Sequence, residues 1–129
     1  MARQYVNPPG LSQPAGAIYT QVVRVGNIAY IAGQVGRDAQ GAVAKGDIAA
    51  QYRQVIRNLQ TAVESVGGTL NDIVKTTTFV VGAENIPALR AARQELRLPS
   101  PPTSAMVVVA ALADPAFLVE VEAIAHIGE

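Results

Sequence analysis

The sequence has no cysteine and no tryptophan, one histidine, four tyrosines and two phenylalanines. Without cysteine there can be no disulfide, no thiolate nucleophile and no thiolate metal site, a usage that fits a reducing compartment. One histidine, His126, cannot build a histidine-rich metal centre. Ten Lys+Arg balance ten Asp+Glu, so the net charge is zero. No long-range field then draws a phosphate backbone, and the scattered aromatics offer no stacking platform, so nucleic acid is not expected as a partner. No apolar run approaches the ~20 residues of a membrane span. The segment Met1-Ala2-Arg3-Gln4-Tyr5 leads into Asn7-Pro8-Pro9-Gly10 and not into an apolar leader. A cytoplasmic protein without a membrane partner is expected. There is no phosphate loop, no Gly-x-Ser-x-Gly elbow and no spaced set of metal ligands, so neither cofactor nor metal is expected.

What the chain does have is apolar material: half of its 129 residues, with a mean hydropathy of +0.23. A single domain over residues 1–129 is expected, burying roughly two-thirds of the unfolded surface. Residues 1–18, with Pro8, Pro9, Gly10, Pro14 and Gly16, read as a Pro/Gly-rich lead-in. Thr20 to Val25 and Ile28 to Ala32 are β-type runs around Gly26-Asn27, a pair suited to a tight hairpin turn. From Asp47 the positions Ile48, Tyr52, Val55, Ile56, Leu59, Ala62, Val63 and Val66 keep helical spacing up to Gly67-Gly68, with Asp near the N-cap and glycine at the C-terminal cap. Ile73 to Val81 is rich in β-branched residues and predicts a strand. Ile86, Leu89, Ala92 and Leu96 predict a second helix that stops before Pro99-Ser100-Pro101-Pro102, and Ala105 to Leu112 and Phe117 to Ile127 predict two closing strands.

The expected order is β-β-α-β-α-β-β, a two-layer α+β fold with both helices on one face of a mixed sheet. The other face should then be polar. Instead, Ala105 to Leu112 and Ile28 to Ala32 are apolar on both alternations. No sequence remains to cover that face, so a further copy of the chain is the expected cover.

Alternation in the last strand puts Leu118, Glu120, Glu122, Ile124 and His126 on one face and Phe117, Val119, Val121, Ala123 and Ile127 broadly on the other. Two carboxylates spaced by two strand residues lie about 7 Å apart, which lets one act as a base while the other stands by. Taken alone, the pair reads first as a solvated strand face. The apolar surroundings favour chemistry, because a carboxyl in such a setting exchanges protons closer to neutrality. His126 and Lys75 read as surface residues. Gly33 ends a strand, either to allow a turn or to let a ligand approach the backbone.

Four stretches resemble one known family: Tyr19; Gly26-Asn27-Ile28-Ala29-Tyr30-Ile31-Ala32-Gly33-Gln34; Asp72-Ile73-Val74-Lys75-Thr76-Thr77-Thr78-Phe79-Val80; and Leu118-Val119-Glu120-Val121-Glu122-Ala123-Ile124-Ala125. It is the reactive intermediate deaminase family, RidA/YjgF, labelled endoribonuclease L-PSP in older usage, and the resemblance spans nearly the whole chain. It implies a chorismate-mutase-like fold and a homotrimer with small-molecule clefts between subunits. It also implies hydrolysis of imines and enamines such as 2-iminobutanoate and 2-aminoacrylate to 2-keto acids and ammonia. Tyr19 matches the family's cleft tyrosine, Gly33 the glycine whose backbone faces the ligand, and Glu120 the carboxylate that handles the attacking water. Glu122 has a match of structural character.

One position departs. Where the family's deaminases carry an arginine for the substrate carboxylate, in a Pro-x-Arg motif, this chain has Pro102-Thr103-Ser104. A serine offers one neutral donor in place of a charged fork. The chain is therefore expected in a branch lacking that arginine, with standard 2-imino-acid deamination in doubt. Arg90 on the second helix is the candidate to restore a cation, set against its plainer reading as an exposed helix arginine. The alternative to a deaminase-type hydrolase is a non-catalytic trimer that binds a small metabolite or has a regulatory role. Ribonuclease activity rests only on the older label, and the balanced charge argues against it.

Overall fold

The computed structural model describes residues 2–128. Six strands form one sheet: β1 (Arg3–Val6), β2 (Val22–Val25), β3 (Ile28–Val35), β4 (Ile73–Val81), β5 (Thr103–Val109) and β6 (Val119–His126), in the order β1-β2-β3-β6-β4-β5. Two helices, α1 (Ile48–Glu64) and α2 (Ile86–Glu95), complete the α+β fold. The expected order lacked β1. Its four residues, inside the predicted lead-in, pair antiparallel with β2 as an edge strand, Arg3 opposite Val25 and Val6 opposite Val22. Arg3, Gln4 and Tyr5 are exposed, so no apolar alternation announces the strand.

The other elements follow local chemistry. Val25 and Ile28 pair across Gly26-Asn27, and only Gly26 of the two has positive φ, as in a type II′ turn. The Asp47 carboxylate accepts from the Ala50 N–H at 3.0 Å and caps α1. At its far end the Gly68 N–H donates to Val63 C=O at 2.9 Å, the Gly67 N–H donates to Glu64 C=O at 3.1 Å, and Gly67 has φ 90°. This is the Schellman arrangement that glycine permits most readily. α2 carries the chain from β4 to β5, and such a crossover allows the parallel pairing of Thr76 with Ser104 and Phe79 with Val107.

Both helices lie over the same face of the sheet. Ile48, Val55, Leu59, Ala62 and Val63 of α1 and Leu89 and Ala92 of α2 pack on Ala29, Ile31, Val80, Val119, Val121, Ala123 and Ala125. Among the described residues, no layer covers the opposite face. Tyr30 on β3 remains 49% exposed and Val107 on β5 43%, with Phe79 and Ile124 between them only partly covered.

Two buried amides on α1 join this layer to the loops that frame the site. The Gln51 side chain donates to Ala44 C=O at 3.0 Å and Ala116 C=O at 2.9 Å, and accepts from the Leu118 N–H at 2.9 Å. Gly36 lies so close that a Cβ there would sit 2.6 Å from the Gln51 Cα. Asn58 donates to Val35 and Arg37 C=O, each at 3.0 Å. Gln51→Leu keeps the volume but strands three backbone groups. It is expected to lower unfolding stability by about 2–4 kcal/mol, read as a lower urea midpoint with an unchanged slope.

Candidate functional site

β6 delivers Glu120 to the uncovered face, opposite Val35 on β3 and Phe79 on β4. The β3–β6 register shifts between Ile31 and Gln34, and Gly33 lies inside this irregularity. A Cβ on Gly33 would stand 2.2 Å from Glu120 Oε2. The glycine is required for space, since the carboxylate lies against the β3 backbone. Burial raises the Glu120 pKa above the ordinary carboxylate value, and the neighbouring negative charge of Glu122 adds to the rise.

Around this carboxyl is a cavity of about 250 Å³ lined by Tyr19, Gly33, Arg37, Ala113, Phe117 and Glu120, among others. Arg37 was not among the residues singled out by sequence reasoning. Its guanidinium carbon lies 5.3 Å from the centroid of the Phe117 ring, its Nη2 donates to Ser12 Oγ at 3.1 Å, and its Nε is buried without a partner among the described residues. The α1 amides fix both members of this stack through Ala116, Leu118 and the Arg37 carbonyl. Nothing periodic in the sequence marks Arg37, because a loop places it.

The other candidates lie across the sheet. Ser104 on β5 and Arg90 on α2 open into a second cavity, of about 550 Å³, between the helices and the β4–β5 edge. Arg93, also missed from the sequence, donates to Ser104 Oγ at 3.0 Å. Burial pushes the Tyr52 phenol up in pKa, and Arg93 beside it pulls the other way. Within one chain Tyr19, Gly33 and Glu120 are thus brought together, whereas Ser104 and Arg90 are not brought to them. Lys75 and His126 are exposed. Among the described residues no group of three or more His, Cys, Asp or Glu converges as a metal site would require, and no helix is long and apolar enough to cross a membrane.

A six-stranded α+β sheet covered on one face, with a strand carboxylate held against a bulged glycine, defines a class of small proteins with known members. The family described as Endoribonuclease L-PSP matches residues 11–127, and the chain belongs to it, the RidA/YjgF family. A RutC family protein of Pyrococcus abyssi is 33% identical over 127 residues, 98% of each chain. A Dermatophagoides farinae protein named 2-iminobutanoate/2-iminopropanoate deaminase is 31% identical over 123 residues, 95% of this chain and 94% of that one. The crystal structure of RidA from the Antarctic bacterium Psychrobacter sp. superposes with a TM-score of 0.87 at 33% identity, covering 96% of this chain and 99% of that one.

Two outcomes test this geometry. A carboxyl whose pKa is higher folded than unfolded costs stability as pH rises from its unfolded value through its folded one. Glu120→Gln is therefore expected to raise the melting temperature at neutral pH, the advantage fading in acid below the ordinary carboxylate value. In Gly33→Ala the new methyl meets the free end of a flexible side chain, so the protein should stay folded by circular dichroism with its carboxylate displaced from β3.

Proposed function

We propose that the Glu120 cavity hydrolyses the C=N bond of a small imine, reached directly or by tautomerisation of an enamine, to a carbonyl compound and ammonia. The observation that carries this reading is a half-buried carboxyl, raised in pKa and facing a cavity large enough for a small molecule. Such a group is matched to moving protons near neutrality. Glu120 takes a proton from water as the water oxygen bonds to the imine carbon, and passes it to the nitrogen as the C=N π bond opens, giving a neutral carbinolamine and restoring the carboxylate. As the C–N bond breaks, the hydroxyl proton returns by way of Glu120 to the departing nitrogen, which leaves as ammonia. The name of the Dermatophagoides farinae relative supports this reaction class.

A substrate carboxylate does not find an arginine at position 104. Arg37 supplies the guanidinium on the same side of the sheet as Glu120, with one N–H still unpartnered. Tyr19 forms part of the cavity wall and Gly33 keeps the backbone open to the substrate. The apolar face of Tyr30 and Val107 is proposed to be covered by further copies in a homotrimer, with Ser104 on a neighbouring copy as a polar contact at the cleft.

An assay of 2-iminobutanoate hydrolysis tests the reading. Glu120→Gln should lower kcat by at least ~100-fold. Arg37→Ala should raise KM for carboxylate-bearing imines by roughly one to two orders of magnitude, as expected for losing a charge-assisted contact, and leave neutral imines little changed. No turnover of any imine above buffer would overturn it. Light scattering should give three times the 13.5 kDa chain mass, and Tyr30→Asp should reduce that mass.

A further inference from the structure

The cavity around Glu120 holds one group suited to carrying a proton at neutral pH. Among the described residues, its polar side chains are those of Tyr19, Arg37 and Glu120, and no imidazole, amine or second carboxyl joins them. An arginine does not release its proton in a protein, and a phenol is a much poorer proton carrier near neutrality than a carboxyl. Whatever proton the protein gives to a substrate there, or takes from it, therefore passes through Glu120.

An enamine asks more of that group than an imine does. Water adds to the imine tautomer, so a proton must first reach the carbon next to the one that bears nitrogen. The carboxyl approaches from one side only, since Glu120 Oε2 occupies the space that a Cβ on Gly33 would take, against the β3 backbone. The walls at Val35, Ala113 and Phe117 are hydrocarbon. A planar substrate lying in this cavity meets its proton carrier on a single face.

The carbonyl product keeps the plan of the imine, with C=O where C=N stood. A hydrogen on the neighbouring carbon is acidified in the same way, because the electron pair it leaves behind spreads onto the heteroatom. A guanidinium such as that of Arg37 steadies the oxygen that receives this charge. A group placed to deliver a proton to that carbon is equally placed to remove one.

We propose that the Glu120 cavity is also a keto–enol tautomerase for small 2-keto acids, exchanging with solvent one hydrogen on the carbon beside the carbonyl. Glu120 takes the proton as the C–H electron pair becomes a C=C bond and the carbonyl π pair moves to oxygen, beside Arg37. The carboxyl is only half-buried and trades its proton with water. It then protonates the same face of the same carbon, the C=C pair forms the new C–H bond, and the oxygen pair restores C=O. Nothing is oxidised or reduced, and the keto acid is regenerated. The choice of substrate rests on the hydrolytic reading, whereas the exchange itself needs neither nitrogen nor the addition of water.

Proton NMR of 2-oxobutanoate incubated with the full chain in D2O tests it. The methylene signal should fall at least ~10-fold faster than in buffer alone. It should level off at one deuteron per molecule, whereas buffer replaces both hydrogens alike. Glu120→Gln should lose the excess rate, and Glu120→Asp, which keeps the charge one methylene short, should recover part of it. Gly33→Ala, expected to stay folded with its carboxylate displaced, should slow the exchange as well. Exchange no faster than in buffer, a second deuteron entering as fast as the first, or an undiminished rate in Glu120→Gln would each overturn the proposal. Turnover of 2-iminobutanoate without exchange would reject the tautomerase and leave the hydrolytic reading standing. Exchange by a protein that turns over no imine would do the reverse.

Discussion

The side chain of Gln51 meets three backbone groups from two distant loops, at Ala44, Ala116 and Leu118, inside a layer that is mostly hydrocarbon. A buried amide is tolerated only when its hydrogen bonds are made, so the positions of those loops and the seating of α1 are not independent. The loop held at Ala116 and Leu118 leads directly into β6 and carries Phe117. Two turns further along the helix, Asn58 acts in the same way on Val35 and Arg37. The cavity around Glu120 therefore inherits its geometry from the helix on the far side of the sheet. α1 touches none of the proposed chemistry, yet it sets the distance between the carboxyl and the guanidinium.

Strand alternation accounts for the division of charge. Residue 120 points to the open face and residue 104, on the parallel edge strand, points to the helices, so within one chain the acid and the Arg93 guanidinium bound to Ser104 are separated by the sheet itself. Had they shared a face, ion pairing would have lowered the Glu120 pKa and occupied the guanidinium forks. Kept apart within the chain, the carboxyl keeps its raised pKa.

Much of this was legible in the sequence. The Asp47 cap, the Gly67-Gly68 stop, the Ile73–Val81 strand and the two faces of β6 follow from spacing and residue type, and each forms as expected. β1 was not legible because its partner supplies the order that its own side chains do not encode. The candidate site divides in the same way. Glu120 could be singled out within its strand and Gly33 as the expected end of another, which in the structure runs on past the glycine to Val35; the contact between them is local to one strand pair. Arg37 and Arg93 were invisible, since a loop tie and a helix-to-strand approach give them their meaning. Arg90 was chosen as a second-helix cation to stand in for the missing arginine. Arg93, one turn further along, is the one that reaches Ser104.

The strand order holds a consequence for how the chain is made. β6 is the last strand in sequence but lies in the interior of the sheet, between β3 and β4. During synthesis β1, β2 and β3 emerge as one meander, and β4, α2 and β5 as a separate crossover unit, with no strand-to-strand contact between them until β6 arrives. Each half meanwhile presents an unpaired inner edge, one at β3 and one at β4, to anything nearby with a free strand. Residues 119–126 act as a keystone: β3 and β4 are joined only through β6, and the carboxyl proposed to perform the chemistry sits on the strand that joins them.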